Sequence, residues 1–222
     1  MQNPTTATLS TARRQHIAAL ARTHDLTIVE DDVYGFLMPD RPAPIACYAP
    51  ERTYFVTSLC KSVLPGLRVG YLGVPEGNAE RFSAVIRSTV WMGSPLMAEI
   101  ATRWIQDGTA DELADWQRRE AETRQDMAAQ ILPGWEYQTY SASMHLWLPL
   151  PDPRHAHDIV QSARVRGVLL SPAATFAVER SGVPHALRIC LMGPANREQL
   201  ERGLTVIAEL LNESPDFCCA TL

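Results

Sequence analysis

Lysine is almost missing from this chain. Of 20 basic residues in 222, 19 are Arg and one, Lys61, is Lys. A phosphate-binding G-x-x-x-x-G-K-[ST] loop is excluded, because Lys61-Ser62 lacks the glycines ahead of it. Ser58-Leu59-Cys60-Lys61 fits the S-x-x-K of penicillin-binding proteins, but the K-T-G they also need would take a second Lys. Positive charge is in deficit overall. The 25 acidic residues leave a formal charge of −5, which argues against a broad basic face for nucleic acid. No run of about 18 apolar residues exists, so no transmembrane helix is expected. The stretch Met1 to Arg14 lacks the apolar core of a signal peptide. Cys47, Cys60, Cys190, Cys218 and Cys219 are odd in number and form no C-x-x-C pair. They argue against a disulfide framework or a structural zinc site and favour a reducing cytoplasm. Cys219-Ala220-Thr221-Leu222 formally fits a C-a-a-X prenylation pattern, but no basic anchor lies upstream, and it is read as a chance match.

What is present is ordinary for a globular chain: 46% apolar and 20% charged residues, enough for one large domain or two small ones. The hydrophobic pattern alternates between helix and strand. Ser10 can cap a helix running to about His24, with Ile17, Leu20 and Ala21 on its inner face. Leu26 to Val29 reads as a buried strand running into three acids, Glu30, Asp31 and Asp32; Thr53 to Thr57 and Leu67 to Val74 read as two more. Helices are expected over Glu76–Thr89, Leu96–Gln106 and Asp111–Leu132, the last stopped by Pro133-Gly134. Beyond it come strands at His145–Leu150, Val168–Leu170 and Leu187–Leu191, and helices at Arg154–Arg166 and Asn196–Leu211. A domain boundary is placed near residue 127: residues 1–127 form a strand–helix layer with parallel-sheet character, residues 128–222 a small α+β domain.

Open α/β sheets put ligand sites at the carboxyl ends of their strands. Polar residues gather at such positions here: Asp31, Tyr34, Ser58, Lys61 and Arg68. A chain that uses Arg at 19 other positions keeps a single amine. A guanidinium stays protonated, whereas an amine can lose its proton and attack a carbonyl. On composition alone, the reading that one Lys merely escaped replacement stands level with this. The neighbours favour chemistry. A Schiff-base amine needs an aldehyde cofactor, of which pyridoxal phosphate is the commonest. Its phosphate needs donors, which Ser58 and Arg68 offer. Its pyridine nitrogen needs a carboxylate, which Asp31 offers. Its ring hydroxyl needs donors, which Asn3 and Tyr34 offer, and Arg188 could take a substrate carboxylate.

The run Gln2-Asn3-Pro4-Thr5-Thr6-Ala7-Thr8, then Glu30-Asp31-Asp32-Val33-Tyr34, then Ser58-Leu59-Cys60-Lys61 leading into Pro65-Gly66-Leu67-Arg68-Val69-Gly70-Tyr71, resembles the class I/II (fold type I) aminotransferases. With Met144-His145-Leu146-Trp147, it is most similar to the aminotransferase-like domain of MocR-type GntR transcriptional regulators. The resemblance extends to about residue 212. It implies the C-terminal part of the fold type I large domain, mostly parallel sheet, followed by a small α+β domain. It implies pyridoxal 5'-phosphate held as a Schiff base on Lys61, with Asp31 as pyridinium partner, Tyr34 and Asn3 at the ring hydroxyl, Ser58 and Arg68 at the phosphate, and Arg188 at the substrate carboxylate. It also implies a small amino-acid or amine ligand and a homodimer, with no direct contact to nucleic acid and none to membrane.

The motifs start at Asn3, where family members have already spent a long stretch. The front half of the cofactor domain is therefore expected to be missing, exposing a sheet edge and a bare apolar face. Three roles stay open: a transaminase domain, an effector-sensing domain of a transcription regulator, or a non-functional remnant. Plainer readings stand beside the sharp ones. Glu30 and Asp32 are read as structural or surface acids, His145 as a core or edge histidine and Cys60 as a small buried residue. The five Trp are read as packing residues. Arg118, Arg119 and Arg124, alternating with Glu120 and Glu122, are read as a solvated helix face.

Overall fold

A computed structural model describes residues 1–151, 156–179 and 181–213. The tail cysteines Cys218 and Cys219, the C-a-a-X match and the expected helix start at Arg154 lie outside these residues. The chain divides into two compact units. Met1 and Thr8–Gln117 form the first; Gln2–Ala7 and the residues from Arg118 onward form the second. The division falls at Gln117, rather than near residue 127, and it transfers residues 2–7 to the second unit. The reason is polar anchoring. Arg124 donates to the carbonyls of Leu191 and Pro194 at 2.8 and 2.9 Å, which ties the helix around it to the second unit from Arg118 on.

In the first unit, α1 (Thr11–Thr23) begins at Ser10, whose hydroxyl accepts from the Arg13 amide. Its buried residues are Arg14, Ala18 and Ala21; Ile17 is half-buried, and Leu20, expected inside, is 38% exposed. Arg14 takes the inner position because a carboxylate, Glu30, waits there. Strands β1 (Ile28–Asp31), β2 (Thr53–Ser58) and β3 (Gly70–Gly73) form one sheet in that order. β1 is parallel to β2, with Asp31 beside Val56. β3 returns antiparallel, with Gly70 beside Ser58. Only the β1–β2 pair has the expected parallel character. The link from β2 to β3 holds a single turn, α2 (Leu59–Ser62), and a 3-10 turn at Pro65–Leu67, too short for the crossover a parallel return needs. β1 is not the buried strand expected: Val29 is 71% exposed, because the described residues provide no layer over that side of a sheet edge. Helices α3 (Ala79–Thr89), α4 (Pro95–Gln106) and α5 (Thr109–Ile131) follow. Trp91 and Trp116, expected to pack, are exposed.

The second unit has a sheet in the order β4 (His145–Pro149), β6 (Ala186–Cys190), β5 (Ser171–Pro172), antiparallel throughout. Helices α6 (Ala156–Val165) and α7 (Arg197–Asn212) pack with it around Leu146, Leu148, Leu187, Leu204 and Leu211, all essentially sealed from solvent. Asn196 caps α7 by accepting from the Gln199 amide at 2.9 Å. Val168–Leu170 is not a strand: pairing starts at Ser171, while Val168 and Leu170 pack on the core and Leu169 stands 84% exposed between them. Glu120 and Arg124 are not a solvated face either. Both are buried, Arg124 Nε donating to Glu120 at 2.7 Å and Arg197 Nη2 to the other carboxylate oxygen at 2.6 Å. Alternating charge reads as solvated only when no partner lies in another element, and Arg197 is distant in sequence. No helix of the described residues is long and apolar enough to cross a membrane.

Candidate functional site

The first unit collects five of the expected residues at the carboxyl ends of β1 and β2. Asp31 closes β1, and its Oδ1 accepts from the Val33 amide at 3.1 Å, turning the chain out of the sheet toward Tyr34. Tyr34 is half-buried at the start of the 3-10 turn Gly35–Leu37. The Asp32 amide donates to the Val56 carbonyl at 2.8 Å, so β1 stays paired with β2 to its end. Ser58 ends β2 and caps α2, its Oγ accepting from the Cys60 amide at 3.4 Å. Lys61 lies in that same turn, and its side chain is exposed. Among the described residues it makes no hydrogen bond or ion pair, and none joins it to Asp31 or Arg68.

Arg68 follows the Pro65–Leu67 turn with a left-handed backbone, φ 52°. That conformation is uncommon outside Gly, Asn and Asp. It turns Arg68 back over α2, where Nη1 reaches the Cys60 sulfur at 3.6 Å, and Leu59 donates to the Val69 carbonyl at 3.2 Å. Arg68 thus stands beside the residue that precedes Lys61. Amine, hydroxyl, guanidinium and carboxylate occupy one end of one small sheet. That donor set suits an aldehyde carrying a phosphate ester and a basic ring nitrogen.

The remaining two residues meet in the second unit. Arg188 on β6 donates through Nη1 to Asn3 Oδ1 at 3.2 Å and through Nη2 to Ser171 Oγ at 3.1 Å. Its guanidinium carbon lies 5.0 Å from the centre of the Phe176 ring. Among the described residues, its buried Nε has no hydrogen-bond partner. Three contacts, on a β6 that is paired on both sides, place Arg188 within the sheet rather than at its edge.

Sequence reasoning did not find Ser171 and Phe176, which share only the tertiary contact with Arg188. It also missed that Glu30 and Asp32 are bound. Glu30 pairs with Arg14 at 2.8 Å, and the buried Asp32 pairs with Arg41. A signal for Arg14 existed: it lies four and seven residues before Ala18 and Ala21, on one helical face.

The chain is similar to known proteins. The chain is 28% identical over 211 residues to the uncharacterized HTH-type transcriptional regulator YdeF of Bacillus subtilis, covering 95% of this chain and 46% of that protein. It is 26% identical over 227 residues to the mitochondrial kynurenine/alpha-aminoadipate aminotransferase of Bos taurus, covering 96% and 52%. It thus spans about half the length of the curated relatives it matches. Among solved structures, a Pyrococcus horikoshii kynurenine aminotransferase superposes with a TM-score of 0.85 at 23% identity, over 95% of this chain and 54% of that one. A Thermus thermophilus aspartate aminotransferase double mutant gives 0.82 at 20% identity, over 94% and 55%. At such identities the likeness establishes the fold, that of the fold type I aminotransferases. The family model described as aminotransferase class I and II matches residues 1–207, and the chain belongs to that family.

Proposed function

We propose that this chain binds pyridoxal 5'-phosphate, the cofactor its family membership implies, and supports transamination of a small amino acid or amine. When bound, this group supplies an aldehyde for the amine and a ring that accepts electron density from the substrate carbon. Lys61 offers the amine that holds it and, once freed, a base to move a proton at the substrate carbon. Asp31 keeps the ring nitrogen protonated, and Tyr34 and Asn3 hydrogen-bond the ring hydroxyl. Ser58 and Arg68 hold the phosphate, and Arg188 takes the substrate carboxylate. The observation that carries this reading is the turn at Ser58–Lys61, which puts hydroxyl and amine in one helical turn with Arg68 folded back onto Cys60. The single Lys gives it weight, since no other side chain of the chain can form the covalent link.

The exposure of Lys61 bears on the strength of binding. The relatives are about twice as long as the matched region, and we propose that residues outside this chain complete the cofactor's enclosure, either from the same polypeptide or from a second copy. A regulatory role is the second reading, favoured by three relatives at 25–28% identity that are named HTH-type transcriptional regulators. The experiment is a turnover assay with pyridoxal phosphate, an amino-acid donor and a 2-oxo-acid acceptor. Repeated formation of product supports the enzyme. Cofactor binding with no turnover supports the sensor, and absence of binding overturns both.

A further inference from the structure

Glu30, Asp31 and Asp32 are three consecutive carboxylates, and the structure treats them unequally. Glu30 accepts three hydrogen bonds. Its side chain is 9% exposed, and Oε1 accepts from Arg14 Nη1 at 2.8 Å and from the Ile45 amide at 3.0 Å. Oε2 accepts from the Ala46 amide at 3.1 Å. Arg14 is itself fixed by donating through Nε to the Leu9 carbonyl at 3.2 Å. Asp32, two residues on, is 8% exposed at its side chain and bound to Arg41. Gly35 lies against that pair, and a Cβ there would collide with both Arg41 and Asp32. Asp31, between them, is exposed, and among the described residues its carboxylate bonds only to the amide of Val33.

Alternation along a strand sends neighbouring side chains to opposite faces, and a slip of one residue would exchange them. All three are carboxylates, so charge alone does not choose which one faces outward. Arg14 and the two amides at Ile45–Ala46 make that choice, since a buried carboxylate that leaves them would strand a cation and two N–H donors. We propose that Glu30 is a positioning residue: bound from below by α1 and the 45–47 turn, it fixes β1 so that Asp31 alone presents its carboxylate on the opposite face, at the cofactor's ring nitrogen. The inference deepens the cofactor reading and rests on it.

The test uses the full chain and two readouts. In the cofactor-free protein, amide hydrogen exchange is followed over residues 28–34. Glu30→Gln cannot accept from both amides and should speed exchange there, leaving residues 144–150 and 186–191 as in the parent. In the presence of pyridoxal phosphate, Glu30→Gln should weaken binding about tenfold, the scale of one weakened hydrogen bond to a charged group, and shift the absorbance of the bound cofactor in the direction that Asp31→Asn does. If Glu30→Gln unfolds the first unit, Glu30→Asp carries the decision, keeping the charge at a shorter reach. Unchanged exchange over 28–34 in the folded variants overturns the proposal. So does faster exchange with unaltered cofactor affinity and absorbance. A parent chain that takes up no cofactor overturns the functional reading instead, and the exchange comparison still decides whether Glu30 sets the strand.

Discussion

The two units bury their apolar residues very differently. Fourteen residues of the second unit, from Ala128 to Leu211, form one buried cluster between a three-stranded sheet and its helices. In the first unit the clusters are small, centred on Ala18, Ile45 and Ala49 and on Val63, Leu67 and Ala110. Val29, Tyr71, Leu72, Val85, Ile86, Trp91, Met92 and Leu96 are all exposed there. α3 buries no residue at all, although one of its faces is apolar. Large apolar side chains left exposed in such number are uncommon on a self-contained domain. The candidate cofactor residues Asp31, Ser58, Lys61 and Arg68 sit in that under-covered unit, while Arg188 sits in the well-packed one. Most of the candidate residues and the larger core thus fall in different units, and the division can be tested by substitution.

The largest contrast is expected in the cores. Leu148→Ala, at a fully buried position, should cost about 3 kcal/mol of unfolding free energy. Leu96→Ala, at a residue 64% exposed, should change it by about 0.5 kcal/mol or less. Urea unfolding followed by hydrogen exchange in each unit checks both. Similar losses would mean that α4 is covered in solution.

Next comes the ion-pair network. Glu120→Gln should destabilise the second unit by about 3 kcal/mol, because Arg124 would stay buried without its counter-charge. The hydrogen bond from Arg197, followed by that from Arg124, holds the Glu120 carboxyl below its ordinary value of 4.5, against the effect of its own burial. The unfolded chain therefore binds this proton more readily than the folded one. The resulting stabilisation is complete above about pH 5 and is lost as pH falls through the depressed folded value. In Glu120→Gln that part of the acid limb should vanish; an unchanged limb would show that the network is open in solution.

Smaller and equal effects are expected at two helix caps, one in each unit. Ser10→Ala and Asn196→Ala should each cost about 1 kcal/mol, seen as faster exchange in α1 and α7. The smallest change belongs to Asp31→Asn. It is exposed and should leave stability within about 0.5 kcal/mol while weakening cofactor binding.

The same contrast explains what was legible in the sequence. Caps and periodic helices were readable because Ser10, Asn196 and the glycines at 134 and 167 act locally, the glycines with φ near +80° where a side chain is strained. The motifs at Asp31, Ser58, Lys61 and Arg68 were readable as an ordered series along the chain. What failed depended on partners far away. Arg124 looked solvated until Glu120, itself bound by Arg197, and the carbonyls of Leu191 and Pro194 surrounded it. Val168–Leu170 had strand composition, but pairing on β6 began only at Ser171. Trp91 and Val29 had core composition, but the described residues supply nothing to cover them.

The most direct measurement is to treat the chain with pyridoxal phosphate, reduce with borohydride, and map the labelled peptide by mass spectrometry, with Lys61→Ala alongside. One pyridoxyl group on Lys61, absent from the variant, is the expected result. Label confined to the chain's α-amine, or equal in parent and variant, would contradict the assignment of Lys61.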